Sequence, residues 1–359
     1  MLFSKEEINT GRQLGIDFAK AFAIFFMVLS HPFEYTDLDI TTGLAYRIMF
    51  IGSHQFAAPI FMLAMGIGFT FSRNSNDPKK MLHRGWNIFK AGILLNIVRS
   101  LAASVAFLAT KNPEMLHLGA MELVVVDIFQ LAGLATMLFA ALQMLSVPYW
   151  GILVLSVAMS LIGTQIHMFT SGNYLLDWIL ALFIGVCNDY SVSYFPLLNW
   201  FVFIVVGYGM GRLLRRCVNP NKFFAILTPI VAVLYWGYFS YAAPRGIGMF
   251  NTETTLHFYQ IRAFDVIISM FAALMIFGIG HFVMPLLFEW LKKQITRIAS
   301  DLMRIYVLQW LIITWIVNAL VQEILGVEYT VTTIVIAGLC VLIASVLLAR
   351  VKPFSKMKI

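Results

Sequence analysis

Ten apolar runs, each long enough to cross a bilayer, follow one another along the chain, near 14–33, 55–72, 86–109, 122–145, 149–167, 195–213, 222–241, 263–284, 301–321 and 331–349. A helix of about 20 apolar residues matches a hydrocarbon core about 30 Å thick. Inside lipid each backbone N–H and C=O must be paired within its own segment, so such runs fold as helices. The expectation is an all-α polytopic membrane protein with about 10 transmembrane helices, forming one integral-membrane domain over residues 1–359. Hydrophobic residues make up 60% of the sequence and charged ones only 12%, which excludes a water-soluble domain of this length. An eleventh run, 174–187, is short and carries Asp177, and reads as a re-entrant or interfacial segment. The first run has no small-residue cleavage site after it and is expected to be retained.

Charge sets the orientation. With the N-terminus inside, the internal connections collect 18 lysines and arginines, against 4 on the external side. That asymmetry follows the positive-inside pattern. It places both termini in the cytoplasm and suits a bacterial inner (cell) membrane. The net charge of +7 therefore reflects topology, and no nucleic-acid partner is expected. The longest connections, 34–54, 110–121 and 242–262, fall outside. Three cysteines, Cys187, Cys217 and Cys340, have neither metal spacing nor an even count. No zinc-protease, P-loop, nucleophile-elbow or dinucleotide glycine motif is present, and no bound metal is expected.

The chemistry concentrates in the first run, GIDFAKAFAIFFMVLSHPFEY. A lysine at the bilayer core costs about 2.5–3.5 kcal/mol on insertion scales. Ten residues separate Lys20 from His31. Eleven helical steps return to within about 20° of the start, so the two share a face, offset by about 16 Å. Asp17 lies one turn from Lys20, within reach of an ion pair. Pro32 disfavours helix at His31, so the first helix is expected to end there and expose the imidazole. The same residues also fit a histidine at headgroup level and a lysine neutralised by Asp17.

Two further groups are candidates. His54 and Gln55 begin the second span, where His54 can face His31, Pro59 can kink the helix, and Gly66 and Gly68 allow close packing. The internal loop 72–92 carries Arg73, Lys79, Lys80 and Arg84. That cluster serves topology, or it binds the phosphates of a nucleotide-like donor. Among the deeper polar residues, Arg99 and Asp127 are placed to pair between neighbouring helices, and Gln130, Asp265, Arg304 and Gln309 complete the set.

The IDFAK…H run resembles the basic-residue-to-histidine signature of the acyltransferase-3 family. APIFMLAMGIGFTFSR, VDIFQLAGLA, YFPLLNWFVFIVVGYGMGRLL and ITRIASDLMRIYVLQW are similar, in order, to segments of the heparan-α-glucosaminide N-acetyltransferase-like family. The chain departs from that pattern at Ala21, Asp127 and Asn199, where a glycine, a glycine and a proline are usual. The resemblance spans about residues 12–310 and implies a transmembrane acyltransferase. Such an enzyme takes an acyl group, usually acetyl, from cytosolic acyl-CoA and gives it to a hydroxyl or amine of a glycan-type acceptor at the outer face. It implies a catalytic role for His31 and strengthens the donor-phosphate reading of the inner basic loop; beside it, the residues themselves offer His54 as a second catalytic candidate and Lys20, Arg73, Lys79, Lys80 and Arg84 for donor binding. Asp17, Arg99, Asp127 and Gln130 then line the polar cavity, with His54, Gln55 and Gln130 as candidates for an oxyanion donor. Expected partners are membrane lipid, acyl-CoA, a glycan or small amine acceptor, and a second copy of the chain in a homo-oligomer. Buried Asp17, Lys20, Arg99, Asp127 and Asp265 also suit the relay of a proton-coupled secondary transporter, although the two halves show no matching broken helices.

Overall fold

The computed structural model describes residues 2–35, 51–72, 77–166, 169–188, 191–247, 261–352 and 354–356. Its elements are α1 (Leu14–Ser30), α2 (Ala58–Phe71, continuing a π-helical turn Ile51–Ala57), α3 (Pro78–Thr110), α4 (Pro113–Val124), α5 (Ile128–Met144), α6 (Tyr149–Gln165) and α7 (Tyr174–Ala181). There follow α8 (Leu197–Arg216), α9 (Pro220–Ala242), α10 (Ala263–Val283), α11 (Glu289–Ser300), α12 (Leu302–Ile312, running into a π-helical stretch Ile313–Ile324) and α13 (Val331–Leu348). The protein is all-α, and among the described residues the one strand pairing is a two-residue antiparallel one of Cys187–Asn188 with Ser191–Val192.

Among the described residues, seven helical stretches are long and apolar enough to cross a membrane, and three further apolar helices, Gln55–Phe71, Ile128–Met144 and Tyr149–Gln165, are shorter. The lipid-compatible exterior carries exposed Leu94, Leu108, Trp150, Val154 and Val233. The largest fully buried side chains include Trp200, Tyr235, Phe139 and Phe201. Helix α2 lies directly on α8. A Cβ on Gly66 would stand 2.0 Å from the Ile204 carbonyl, and one on Gly207 would stand 2.2 Å from that of Leu63. Only glycine permits backbones this close. Gly68 has open space around it and takes no part in that contact. Pro59 falls at the start of α2, directly after the π-helical turn.

Two expected boundaries move. The third span starts earlier: Asp77 accepts from Lys80 N and Pro78 opens α3, which runs 33 residues to Thr110 and is capped by Lys111 in the left-handed conformation. The external loop expected over 110–121 is instead largely helix α4. The span expected over 122–145 is interrupted at 125–127. Asn96 Nδ2 donates to the Val125 carbonyl at 2.7 Å, and Val126 exchanges backbone hydrogen bonds with Val192 and Tyr194. Those partners satisfy the extended backbone that a continuous helix would otherwise have paired. Asp127 then caps α5 in a reciprocal capping box with Gln130. The 174–187 segment is a short helix followed by the hairpin.

Candidate functional site

Helix α1 ends at Ser30, and His31 opens a 3-10 turn through Tyr35. The proline effect is milder than expected: His31 keeps φ −58° and ψ −36°, so the chain tightens rather than extends. The imidazole is held by α12. Its ring stacks on Trp310 with centroids 4.4 Å apart and planes 20° from parallel. Tyr306 approaches edge-on at 6.4 Å. The Gln309 amide nitrogen donates to His31 Nδ1 at 3.0 Å. An amide nitrogen only donates, so this arrangement puts the imidazole proton on Nε2. Gln309 Oε1 is buried without a hydrogen-bond partner. Turning the amide over offers that oxygen to a protonated Nδ1 and frees Nε2 as a base.

Trp310 joins the histidine to a buried charge cluster. The Arg99 guanidinium lies 3.9 Å from the centroid of the Trp310 ring, a cation–π contact. Arg99 also bridges two carboxylates, Glu122 at 2.6 Å and Asp127 at 3.0 Å. All three side chains are nearly closed to solvent. The Arg99–Asp127 pairing expected from sequence is present, with Glu122 as an additional member.

Two cavities meet at this centre. The smaller, about 40 Å³, is lined by His31, Ser53, Asp127 and Phe195, among others. The larger, about 230 Å³, is lined by Lys20 and Arg84 together with Ser300 and Met303. Phe61, Ile128 and Tyr306 line both and so form the wall between them. Lys20 therefore belongs to one cavity and His31 to the other, in keeping with their shared face and axial offset on α1.

Other expected site residues lie elsewhere. Asp17 does not pair with Lys20: Arg12 takes it, donating Nε to Oδ2 at 2.5 Å, and also reaches the Thr296 carbonyl and Ser300 Oγ. A residue outside the helix can fold back onto the first turn, whereas Lys20 leans into the cavity. Asp17 is thus absent from both cavity linings and ties α1 to α11. Lys80 pairs with Asp77 at 3.1 Å, and that hydrogen bond holds the Asp77 carboxyl below its ordinary range. Lys79 is exposed, and neither lysine lines the larger cavity. Gln130 is spent on the capping box, and Gln55 accepts from the Tyr235 hydroxyl. Asp265 accepts from Tyr238. Arg73 and the side chain of His54 lie outside the described residues. Among the described residues, no group of three or more His, Cys, Asp or Glu is placed to hold a metal ion.

The sequence of this centre matches a family model. The model describes the catalytic region of heparan-alpha-glucosaminide N-acetyltransferase and covers residues 12–237, more than half of the chain. The chain belongs to this family. It is therefore read as a membrane acetyltransferase, and Lys20, His31, Arg99 and Asp127 all fall within the matched region, while α12 lies beyond it. Neither curated proteins nor solved structures give a match to the chain.

Proposed function

We propose that the protein moves an acetyl group from acetyl-CoA on the cytoplasmic side to a hydroxyl or amine of a glycan-type acceptor on the outer side. The observation that carries this reading is the pair of cavities with a common wall, cationic on one side and bearing the imidazole on the other. CoA is a polyanion at one end of a long thin arm. Lys20 and Arg84 supply charge for its phosphates, and the arm reaches along α1 toward His31. His31 takes the acceptor's proton as general base, or is acylated first and passes the acyl group on. The buried charges support a reaction centre better than a relay: Asp17 with Arg12, Arg99 with its two carboxylates, and Asp265 with Tyr238 are separate groups.

Purified protein in lipid nanodiscs, supplied with radiolabelled acetyl-CoA and glucosamine, tests this directly. Label on the sugar with release of free CoA is expected. In proteoliposomes, uptake of label without CoA release would replace the enzyme by a transporter.

The donor site has its own consequence. Lys20→Met together with Arg84→Gln is expected to raise the KM for acetyl-CoA at least tenfold and to weaken its salt dependence, because two charge-assisted contacts are lost. The exposed pair Lys79→Gln and Lys80→Gln is expected to leave that KM within about twofold. Equal effects from both pairs would move the phosphates out of the cavity.

Sidedness follows from the 18-to-4 distribution of basic residues. In a cysteine-free background on intact cells, an impermeant thiol reagent is expected to label cysteine placed at Lys111 or Gly246 and to spare one placed at Ser355. The reverse pattern would invert the direction of transfer.

A further inference from the structure

Any arm that runs from Lys20 and Arg84 to His31 must pass the wall made by Phe61, Ile128 and Tyr306. Of these three, only Tyr306 can donate a hydrogen bond. Tyr306 is buried, with 4% of its surface exposed. Its hydroxyl makes no hydrogen bond of ordinary geometry, and Asp127 and Trp310 are its polar neighbours. A buried polar group left in that state calls for a reason.

The hydroxyl is also held still. The Tyr306 ring packs on Phe129 at 4.7 Å and meets Trp310 at 6.4 Å. Tyr306, Gln309 and Trp310 are spaced i, i+3 and i+4, so α12 presents all three on one face. Two of them fix His31, which leaves the third rigidly related to the same imidazole. Of the residues considered from sequence for stabilising an oxyanion, Gln55 and Gln130 line neither cavity, and the side chain of His54 lies outside the described residues.

Resting on the acetyl-CoA reading, we propose that Tyr306 is a catalytic residue whose hydroxyl donates a hydrogen bond to the carbonyl oxygen of the thioester as that oxygen becomes negative. The acceptor oxygen or nitrogen forms a bond to the carbonyl carbon, and its proton passes to His31. The carbonyl π pair moves onto oxygen and is met by the Tyr306 hydroxyl. When the intermediate collapses, the carbon–sulfur bond breaks and the CoA thiolate receives the proton from His31. The phenol keeps its own proton throughout, and no other reactant is needed. Donors fixed in advance at such a point act in a site closed to water, which makes them stronger than in solution.

Tyr306→Phe tests this, since it removes the hydroxyl and keeps the ring packing. The readout is release of free CoA from acetyl-CoA with glucosamine as acceptor, with a thermal melt beside it. The expected result is a fall in kcat of about 100- to 1,000-fold, with the KM for acetyl-CoA within about twofold and the melt unchanged. A normal kcat would overturn the assignment. If Tyr306→Phe lowers the melt, 3,5-difluorotyrosine at position 306 keeps shape and hydroxyl while making the donor more acidic. A severalfold change in kcat then supports the role and an unchanged kcat overturns it. His31→Ala separates the two levels. Activity lost there but kept in Tyr306→Phe sinks only the Tyr306 role, whereas CoA release that survives His31→Ala sinks the reading beneath it.

Discussion

Replacing His31 by alanine is expected to lower acetyl transfer at least 100-fold, with melting temperature and acetyl-CoA binding close to those of the unchanged protein. The size follows from the loss of a positioned acid–base group. The selectivity follows from the structure. His31 lies at the end of α1, past the last helical turn, and packs on Trp310 through one ring face. Removing the imidazole leaves α1 intact and does not touch Lys20 or Arg84 in the other cavity. Transfer and CoA release, assayed separately from equilibrium binding of acetyl-CoA, check both halves. Transfer above about a tenth of normal would remove His31 from the chemistry.

The largest expected effect on stability lies at Arg99. It is 4% exposed and stands between Glu122 and Asp127. Arg99→Met would remove the guanidinium that pairs with both buried carboxylates. Breaking a buried ion pair from one side costs about 3–5 kcal/mol, because the remaining charge is uncompensated. The variant is expected to be poorly recovered in detergent, or to melt well below the parent. The triple change Arg99→Met, Glu122→Gln, Asp127→Asn removes all three charges and is expected to recover most of the lost melting temperature, since a buried ionic group can often be exchanged for neutral residues at small cost. It would still lack the cation–π contact to Trp310 and the full cap on α5. Its transfer activity is therefore expected to stay low. A single Arg99→Met variant that melts normally would mean the cluster is open to water.

What could be read in the sequence and what could not divides by range. The Lys20–His31 relation depends on angles within one helix, and helical periodicity carries it without help from the rest of the fold. Pro32 marks the end of α1 for an equally local reason. The Arg99–Asp127 pairing was legible because both charges fall within apolar runs, where a charge needs a partner. Glu122 was hidden because the chain breaks at 125–127. The run MELVVVDIFQL is apolar enough to pass for one span, and the hydrogen bonds that interrupt it come from Asn96, Val192 and Tyr194, each far away in sequence. The partner of Asp17 was hidden for the opposite reason. Lys20 is the neighbour of Asp17 in helical register, but Arg12 reaches the carboxylate from outside the helix. The basic loop was legible as a charge pattern and no further, since nothing in it foretells that Arg84 lines the cavity while Lys80 turns to Asp77. Least legible was α12. Tyr306, Gln309 and Trp310 meet His31 across more than 270 residues of chain, and no local signal announces a partner at that distance.

The central claim is that the two cavities are the two ends of one path, with phosphates at Lys20 and Arg84 and the acyl carbon at His31. A structure of the protein with bound CoA in nanodiscs tests it most directly. The expected density has the phosphates against Lys20 and Arg84, the arm passing Phe61, Ile128 and Tyr306, and the sulfur within reach of the His31 ring. CoA bound on the outer surface of α3 against Lys79 and Lys80, or with its sulfur directed away from His31, would contradict the account.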